Sequence, residues 1–180
     1  MTCDDPDGHD ATLVQQTLDG SAAAFAGLFE RYYGRIRAHA YRVVLDTHLA
    51  DDVAQETFIR AASQLTKLRD TGAFASWIFQ IAGNLAKDQL RSRSAYAARL
   101  KAFANIPRGP SAETSPAADE STHIQAAIRR LPHKQREAVS LVWFENLSHA
   151  EAAKVLGCAE STISWRLALA KRQLRRWLAP

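Results

Sequence analysis

Between residues 104 and 121 the chain reads ANIPRGPSAETSPAADES, where three prolines and a glycine stand among small polar residues. This stretch interrupts the apolar pattern on both sides of it and reads as a flexible linker. Residues 21–103 and 122–180 flank it, and in both stretches helical periodicity dominates while strand alternation is nearly absent. The expected fold class is therefore all-α, with two small helical domains joined by the linker. Residues 1–20 stand apart as an acidic N-terminal segment: Asp4, Asp5, Asp7, Asp10 and Asp19 occur there with no Lys or Arg. Before Thr17 this composition could mask a basic surface, but it fits a disordered, solubilising stretch better.

The formal net charge of +4 is modest, so its distribution is more informative. Residues 122–180 carry ten Lys and Arg against four Glu. Counterion release from phosphates requires such an excess, although a solvated helix face would also carry it. The only cysteines, Cys3 and Cys158, lack any spacing that could assemble a tetrahedral metal site, and neither a metal nor a cofactor is expected. The N-terminus has no basic leader, and no apolar run approaches the roughly 20 residues that span a bilayer. No membrane insertion is expected, and the location should be cytoplasmic. His39, His48, His123, His133 and His149 show no triad or metal spacing, and Asp51 and Asp52 point two ways around a helix. No catalytic residue stands out, and the chain is not expected to be an enzyme.

In the first domain, Phe25, Leu28, Phe29, Tyr32, Tyr33 and Ile36 recur at spacings of three and four, as in the apolar stripe of a helix. A turn at Asp46–His48 precedes a second helix, with Val53, Ala54, Thr57, Phe58, Ala61 and Leu65 on one face. Asp51, Asp52, Gln55 and Glu56 crowd its first turns, where negative charge suits the helix dipole. Ile59 shares the face of Asp52, Gln55 and Glu56. That face could dock a basic, partly apolar partner, or could be a solvated helix start. The loop Thr66–Phe74 leads into a third amphipathic helix bearing Trp77, Ile78, Ile81, Ala82, Leu85 and Leu90 and ending in Lys87, Arg91 and Arg93. Aromatic rings beside cations suit single-stranded nucleic acid, because any base stacks on a ring. Phe74 and Trp77 at helical spacing also fit a core.

The second domain opens at Leu131-Pro132, a proline suited to a helix's first turn. LSHAEAAKVLGCAESTISWRLALAKRQLRRWL follows. Ser148 and Glu151 form a capping box, Gly157 ends a short helix, and Ile163, Leu167, Ala170, Leu174 and Leu178 line the next. Two helices joined by a tight glycine turn describe a helix-turn-helix, whose second helix enters the major groove. Glu160, Ser161, Ser164 and Trp165 occupy its outward N-terminal positions, with Arg166, Lys171, Arg172, Arg175 and Arg176 available to phosphates.

Three of these segments together resemble the sigma factors of bacterial RNA polymerase, in the extracytoplasmic-function (ECF) group. LADDVAQETFIRA (49–62) resembles the helix that binds the coiled coil of the polymerase β′ subunit; SWIFQIAGNLAKDQLR (76–91) resembles the helix for the -10 promoter element. LPHKQREAV with LSHAEAAKVLGCAESTISWRL resembles the domain that reads the -35 element. The resemblance implies a core-polymerase-binding face of Asp51, Asp52, Gln55, Glu56 and Ile59. For the -10 element it implies Lys67, Arg69, Asp70, Phe74, Trp77, Asn84, Asp88 and Arg91, with the Thr66–Gly72 loop capturing a flipped base. For the -35 element it implies Glu160, Ser161, Thr162, Ser164, Trp165, Arg166, Lys171 and Arg172. The implied partners are core RNA polymerase, through its β′ coiled coil and β flap, promoter DNA, and an anti-sigma factor.

The sequence departs from the family at Gly83, where arginine is usual, at Ala159 and Ser161, and at Ser164-Trp165, where Lys-Ser is common. These changes could retune promoter preference. The alternative function is a dimeric helix-turn-helix regulator on duplex operator DNA. It would account for the C-terminal half and leave the acidic and the aromatic-basic helices without a role.

Overall fold

The computed structural model describes residues 6–103 and 120–178. Eight α-helices run through them: α1 (Pro6–Leu18), α2 (Ala22–Val44), α3 (Thr47–Gln64), α4 (Phe74–Phe103), α5 (Glu120–Arg130), α6 (His133–Val139), α7 (His149–Leu156) and α8 (Glu160–Leu178). Two single 3-10 turns, Leu65–Lys67 and Thr71–Ala73, link α3 to α4, and a π-helical turn, Ser140–Phe144, extends α6. No strand occurs among the described residues. The expected linker lies outside the described residues as far as Asp119, and its last two residues, Glu120 and Ser121, open α5.

In the first half, α2 and α3 form a helical hairpin closed by α4. Ser21 starts α2, its Oγ accepting from the Ala24 amide at 3.3 Å. Asp46 starts α3, accepting from Leu49 N at 3.2 Å and from Arg93 at 3.0 Å; these bonds hold its carboxyl below the usual carboxylate range. Between these two helices Leu45 takes a left-handed conformation, φ 56°, which is uncommon for a side chain of its size. Leu28, Tyr32, Ile36, Ala40 and Val43 of α2 meet Val53, Ala54, Phe58 and Ala61 of α3 and Ile78, Phe79, Ala82 and Ala86 of α4 in the core. The apolar face read from sequence, including Thr57 and Leu65, is buried throughout.

The acidic N-terminal segment departs from expectation. Its described part is α1, packed on α2 with Val14 fully buried. Asp10 is buried beside it, where it accepts from the Tyr32 hydroxyl and pairs with Arg31. Composition pointed to disorder because it counts the acids without seeing that one has a cation and a phenol waiting on α2. Burial, reinforced by the Asp10 charge, pushes the Tyr32 hydroxyl well above its ordinary value.

The second half forms around α8, whose Ile163, Leu167, Ala170 and Leu174 are buried, whereas Leu178 is 42% exposed. Pro132 stands at the N-cap of α6, one position before the helical turn expected for it.

The two halves are packed on each other, and their buried apolar residues form one continuous cluster. Glu145, just after the π turn, is buried and accepts from Arg35 Nε at 3.0 Å and Arg42 Nη1 at 3.2 Å; Arg35 Nη2 also reaches its carbonyl at 2.9 Å. Arg136 donates to the Arg42 and Val43 carbonyls ending α2 and to the Arg129 and Leu131 carbonyls ending α5. Lys87 of α4 lies 3.7 Å from buried Glu137. His39, fully buried on α2, shares a 2.9 Å hydrogen bond with Ser140 Oγ and meets Phe79 edge-on.

Burial, with Arg42, Lys87 and His133 adding like charge nearby, pushes His39 down from 6.5 to about 3. Between those values the unfolded chain binds a proton that the folded chain refuses. Stability should therefore fall as pH drops below about 6.5, by up to about 1.4 kcal/mol per pH unit from this one group. Urea unfolding at pH 7 and pH 5 tests this: the drop on acidification should be smaller in His39→Gln than in the wild-type chain.

Candidate nucleic-acid interface

The site residues read from sequence fall on three surfaces. On α3, Asp52 and Gln55 are exposed and Ile59 is 65% exposed, so this aliphatic side chain stands in solvent among polar neighbours. The acids are not all alike. Asp51 receives a hydrogen bond from Arg37, which holds its carboxyl below the ordinary range, and Glu56 pairs with Arg60 at 2.7 Å one turn on. Much of the apparent negative face is thus locally compensated. Asp52, Gln55, Glu56 and Ile59 line a shallow groove with Leu85, Asp88 and Gln89 of α4, which joins two sets of residues that the sequence kept apart.

On α4, Trp77, Asn84, Asp88 and Arg91 follow one another at spacings of seven, four and three, and so share one helical face. Asn84, Asp88 and Arg91 are exposed, Arg91 pairing with Asp88 at 3.2 Å, and Trp77 is half-buried. Lys67, Arg69 and Asp70 are exposed in the loop that precedes the helix. The Asp70 side chain accepts from Gly72 N at 3.0 Å, which shapes the second 3-10 turn.

Phe74 corrects the sequence reading. It is fully buried, edge-on to the Tyr32 ring at 5.3 Å, and its neighbour Trp77 lies tilted against it at 5.9 Å. A ring with no exposed face cannot stack a base, so Phe74 supports the surface from beneath and leaves the contact set. Gly83, where the family's arginine is usual, is buried and off the Asn84–Asp88–Arg91 face.

The third surface is the helix-turn-helix. The capping box at the start of α7 is complete, with Glu151 N donating to Ser148 Oγ at 3.2 Å and Ser148 N to Glu151 Oε2 at 2.8 Å. Gly157 then takes the left-handed conformation, φ 62°, that turns the chain into α8. Glu160, Ser161, Ser164 and Trp165 are exposed over the first turns of α8, Thr162 and Arg166 are half-buried, and Lys171 and Arg172 are exposed further along. Trp165, at 62% exposure, does not pack into the helix pair. Ser164 Oγ lies 3.0 Å from His149 Nδ1 and 3.3 Å from the Glu160 carbonyl, so its hydroxyl is already engaged. The sequence reading sets His149 aside for lacking triad or metal spacing and gives it no place in the helix-turn-helix. Only its place directly after the N-cap of α7 could have drawn notice.

Among the described residues no three His, Cys, Asp or Glu side chains group where a metal could be held, and no helix is long and apolar enough to cross a membrane.

Comparison with known proteins identifies the family. The family model Sigma-70 region 2 matches residues 28–96, and Sigma-70 region 4 matches residues 122–174. The ECF RNA polymerase sigma factor SigM of Mycobacterium tuberculosis is 31% identical over 175 residues, 94% of this chain and 84% of SigM. The RNA polymerase sigma-H factor of Pseudomonas aeruginosa is 32% identical over 183 residues, 96% of this chain and 95% of that factor. In a solved complex with the cytosolic domain of CnrY, CnrH superposes with a TM-score of 0.70 at 27% identity, over 94% of this chain and 97% of CnrH. RpoE from Bartonella quintana, in complex with the anti-sigma factor NepR, shares the fold at a TM-score of 0.71 and 23% identity, over 86% of this chain and 96% of RpoE. With both regions matched in order and relatives aligned nearly end to end, the chain belongs to the sigma-70 family, among the ECF RNA polymerase sigma factors.

Proposed function

We propose that this sigma factor binds core RNA polymerase through the outer face of α3, reads and traps the melted -10 strand with α4 and its preceding loop, and reads the -35 element with α8. One observation supports this assignment: three solvent-facing rows of side chains stand on α3, α4 and α8, the first two within the stretch matched by region 2 and the third within that matched by region 4, each on a well-packed helix. The row on α3 offers Asp52 and Gln55 around exposed Ile59, which suits a basic partner with an apolar spot, such as the β′ coiled coil. The β flap is the partner assigned to the second half. On α4, Asn84, Asp88, Arg91 and the half-buried Trp77 offer hydrogen bonds and a ring edge to unstacked bases, and Lys67 and Arg69 offer charge to the backbone. On α8, Glu160 and Ser161 face base edges, with Thr162 and Arg166 beside them and Lys171 and Arg172 along the phosphates.

The domains of this reading are residues 21–103 and 122–180, with α1 added to the first because it packs on α2. No bond is made or broken by the chain itself, so it is assigned no catalytic role, and its place of work is the cytoplasm, where polymerase and promoter meet. An anti-sigma protein is the expected regulator; CnrH and RpoE each have a protein partner in their solved complexes. A dimeric operator-binding regulator is not favoured, since region 2 accounts for the first half.

Reconstituted transcription tests the assignment. Purified chain added to bacterial core polymerase on a promoter library should give starts downstream of a shared two-part motif, absent with core alone. An inactive core, with the chain shifting duplex DNA by itself, would overturn it. On α3, Asp52→Lys with Ile59→Ala should weaken core binding at least tenfold in a pull-down titration while circular dichroism stays unchanged, because both side chains are exposed.

Trp165 yields a sharper expectation. If its ring touches a thymine methyl in the -35 element, replacing that thymine by uracil removes one methyl group, worth about 0.8 kcal/mol, or roughly fourfold in affinity. Scanning the -35 element with uracil should reveal one such position for the wild-type chain and none for Trp165→Ala.

A further inference from the structure

Ser164 stands exposed in the outward row of α8, one turn after Glu160 and directly before Trp165. It is also tied to the other helix of the motif. Its Oγ lies 3.0 Å from Nδ1 of His149, the first residue of α7, and 3.3 Å from the Glu160 carbonyl on its own helix. His149 is half-buried, and its backbone is set by the capping box that Ser148 and Glu151 complete around the same turn. A ring held in this way can dictate the direction of a hydroxyl that otherwise rotates freely.

Direction matters because a hydroxyl is a single donor with two acceptor lone pairs. With the imidazole hydrogen on Nε2, Nδ1 accepts the Ser164 proton. With it on Nδ1, the ring donates to Oγ and the proton is left to the Glu160 carbonyl. In both cases the proton stays within the protein and Ser164 turns lone pairs outward. The major groove sorts bases by this very distinction. Adenine and cytosine present an exocyclic amino donor there, whereas guanine and thymine present carbonyl acceptors. An acceptor set against an acceptor leaves both unpaired.

We infer that His149 fixes Ser164 as a hydrogen-bond acceptor, and that the pair thereby selects adenine or cytosine at one position of the -35 element. His149 is a positioning residue, acting on DNA through Ser164. The inference rests on the assignment of α8 to that element. Without the imidazole, only the carbonyl bond at 3.3 Å holds the proton, longer than the ~2.8 Å usual between a hydroxyl and an oxygen acceptor. The hydroxyl then turns to donate wherever a base offers an acceptor, and the discrimination goes.

The test uses the full chain reconstituted with core polymerase. Each adenine and cytosine of the -35 element is replaced in turn by the analogue lacking only its exocyclic amino group. At one position the wild-type half-saturating concentration should rise about fivefold, the worth of one hydrogen bond, and guanine at that position should raise it about tenfold. With Ser164→Ala both effects should shrink below about twofold. His149→Ala should lose the discrimination as well, since its free hydroxyl donates to guanine as readily as it accepts from adenine. His149→Asn should keep it, because the asparagine amide reaches as far along its side chain as Nδ1 does. A merely structural role would instead weaken binding to every promoter alike. Wild-type losses that all persist in Ser164→Ala, a His149→Ala chain that keeps the wild-type pattern, or a His149→Asn chain that behaves like His149→Ala overturns the inference and leaves the promoter assignment standing. If no -35 position matters to the wild type, the assignment itself falls and takes the inference with it.

Discussion

Arg136 holds the chain's two halves to a single geometry by completing the end of α2 in the first half while it completes the end of α5 in its own. The last carbonyls of a helix have no amide of their own helix to accept from, and they carry the negative end of its dipole. Here the ends of α2 and α5 converge on one guanidinium, whose donors are spread over the carbonyls of Arg42, Val43, Arg129 and Leu131. A buried cation needs such a set of acceptors, and two buried helix ends need such a donor. Around this point the rest falls into order: Glu145 takes Arg35 and Arg42, His39 meets Ser140, and Lys87 approaches Glu137.

The reading surfaces are built differently. Their side chains are exposed, and several are held by a neighbour one turn or one loop away: Asp51 by Arg37, Glu56 by Arg60, Asp88 by Arg91, and Ser164 by His149. Exposed ion pairs of this kind contribute little to stability and are readily exchanged for contacts to a partner. Their value lies in limiting which rotamers a partner meets. The helices beneath are fixed by the core, so the surfaces are rigid in backbone and adaptable in side chain.

Much of this was legible in the amino-acid order. The stripe from Ile163 to Leu174, the capping box at Ser148 and the glycine at position 157 placed the helix-turn-helix because each is a local signal with a local cause. The buried face of α3 followed in the same way. Asp10 was misread, since its partners Arg31 and Tyr32 are 21 and 22 residues on and composition cannot see them. Phe74 was assigned to DNA because an aromatic ring at helical spacing looks the same in sequence whether a base or Tyr32 faces it. The contact between the halves was invisible: Arg35 and Glu145 are 110 positions apart, and no periodicity links them.

The π-helical turn at Ser140–Phe144 carries a consequence of its own. Its closing bond runs from Glu145 N to the Ser140 carbonyl at 3.1 Å, one residue longer than an α-helical bond. The turn therefore holds one more residue than the helix it extends, and that surplus sets the angle at which Glu145 leaves α6. Removing a single residue there would let the turn relax to α-helical spacing and swing the carboxylate by about 100° around the axis, away from both arginines. A residue lost in this turn thus unhooks one half from the other.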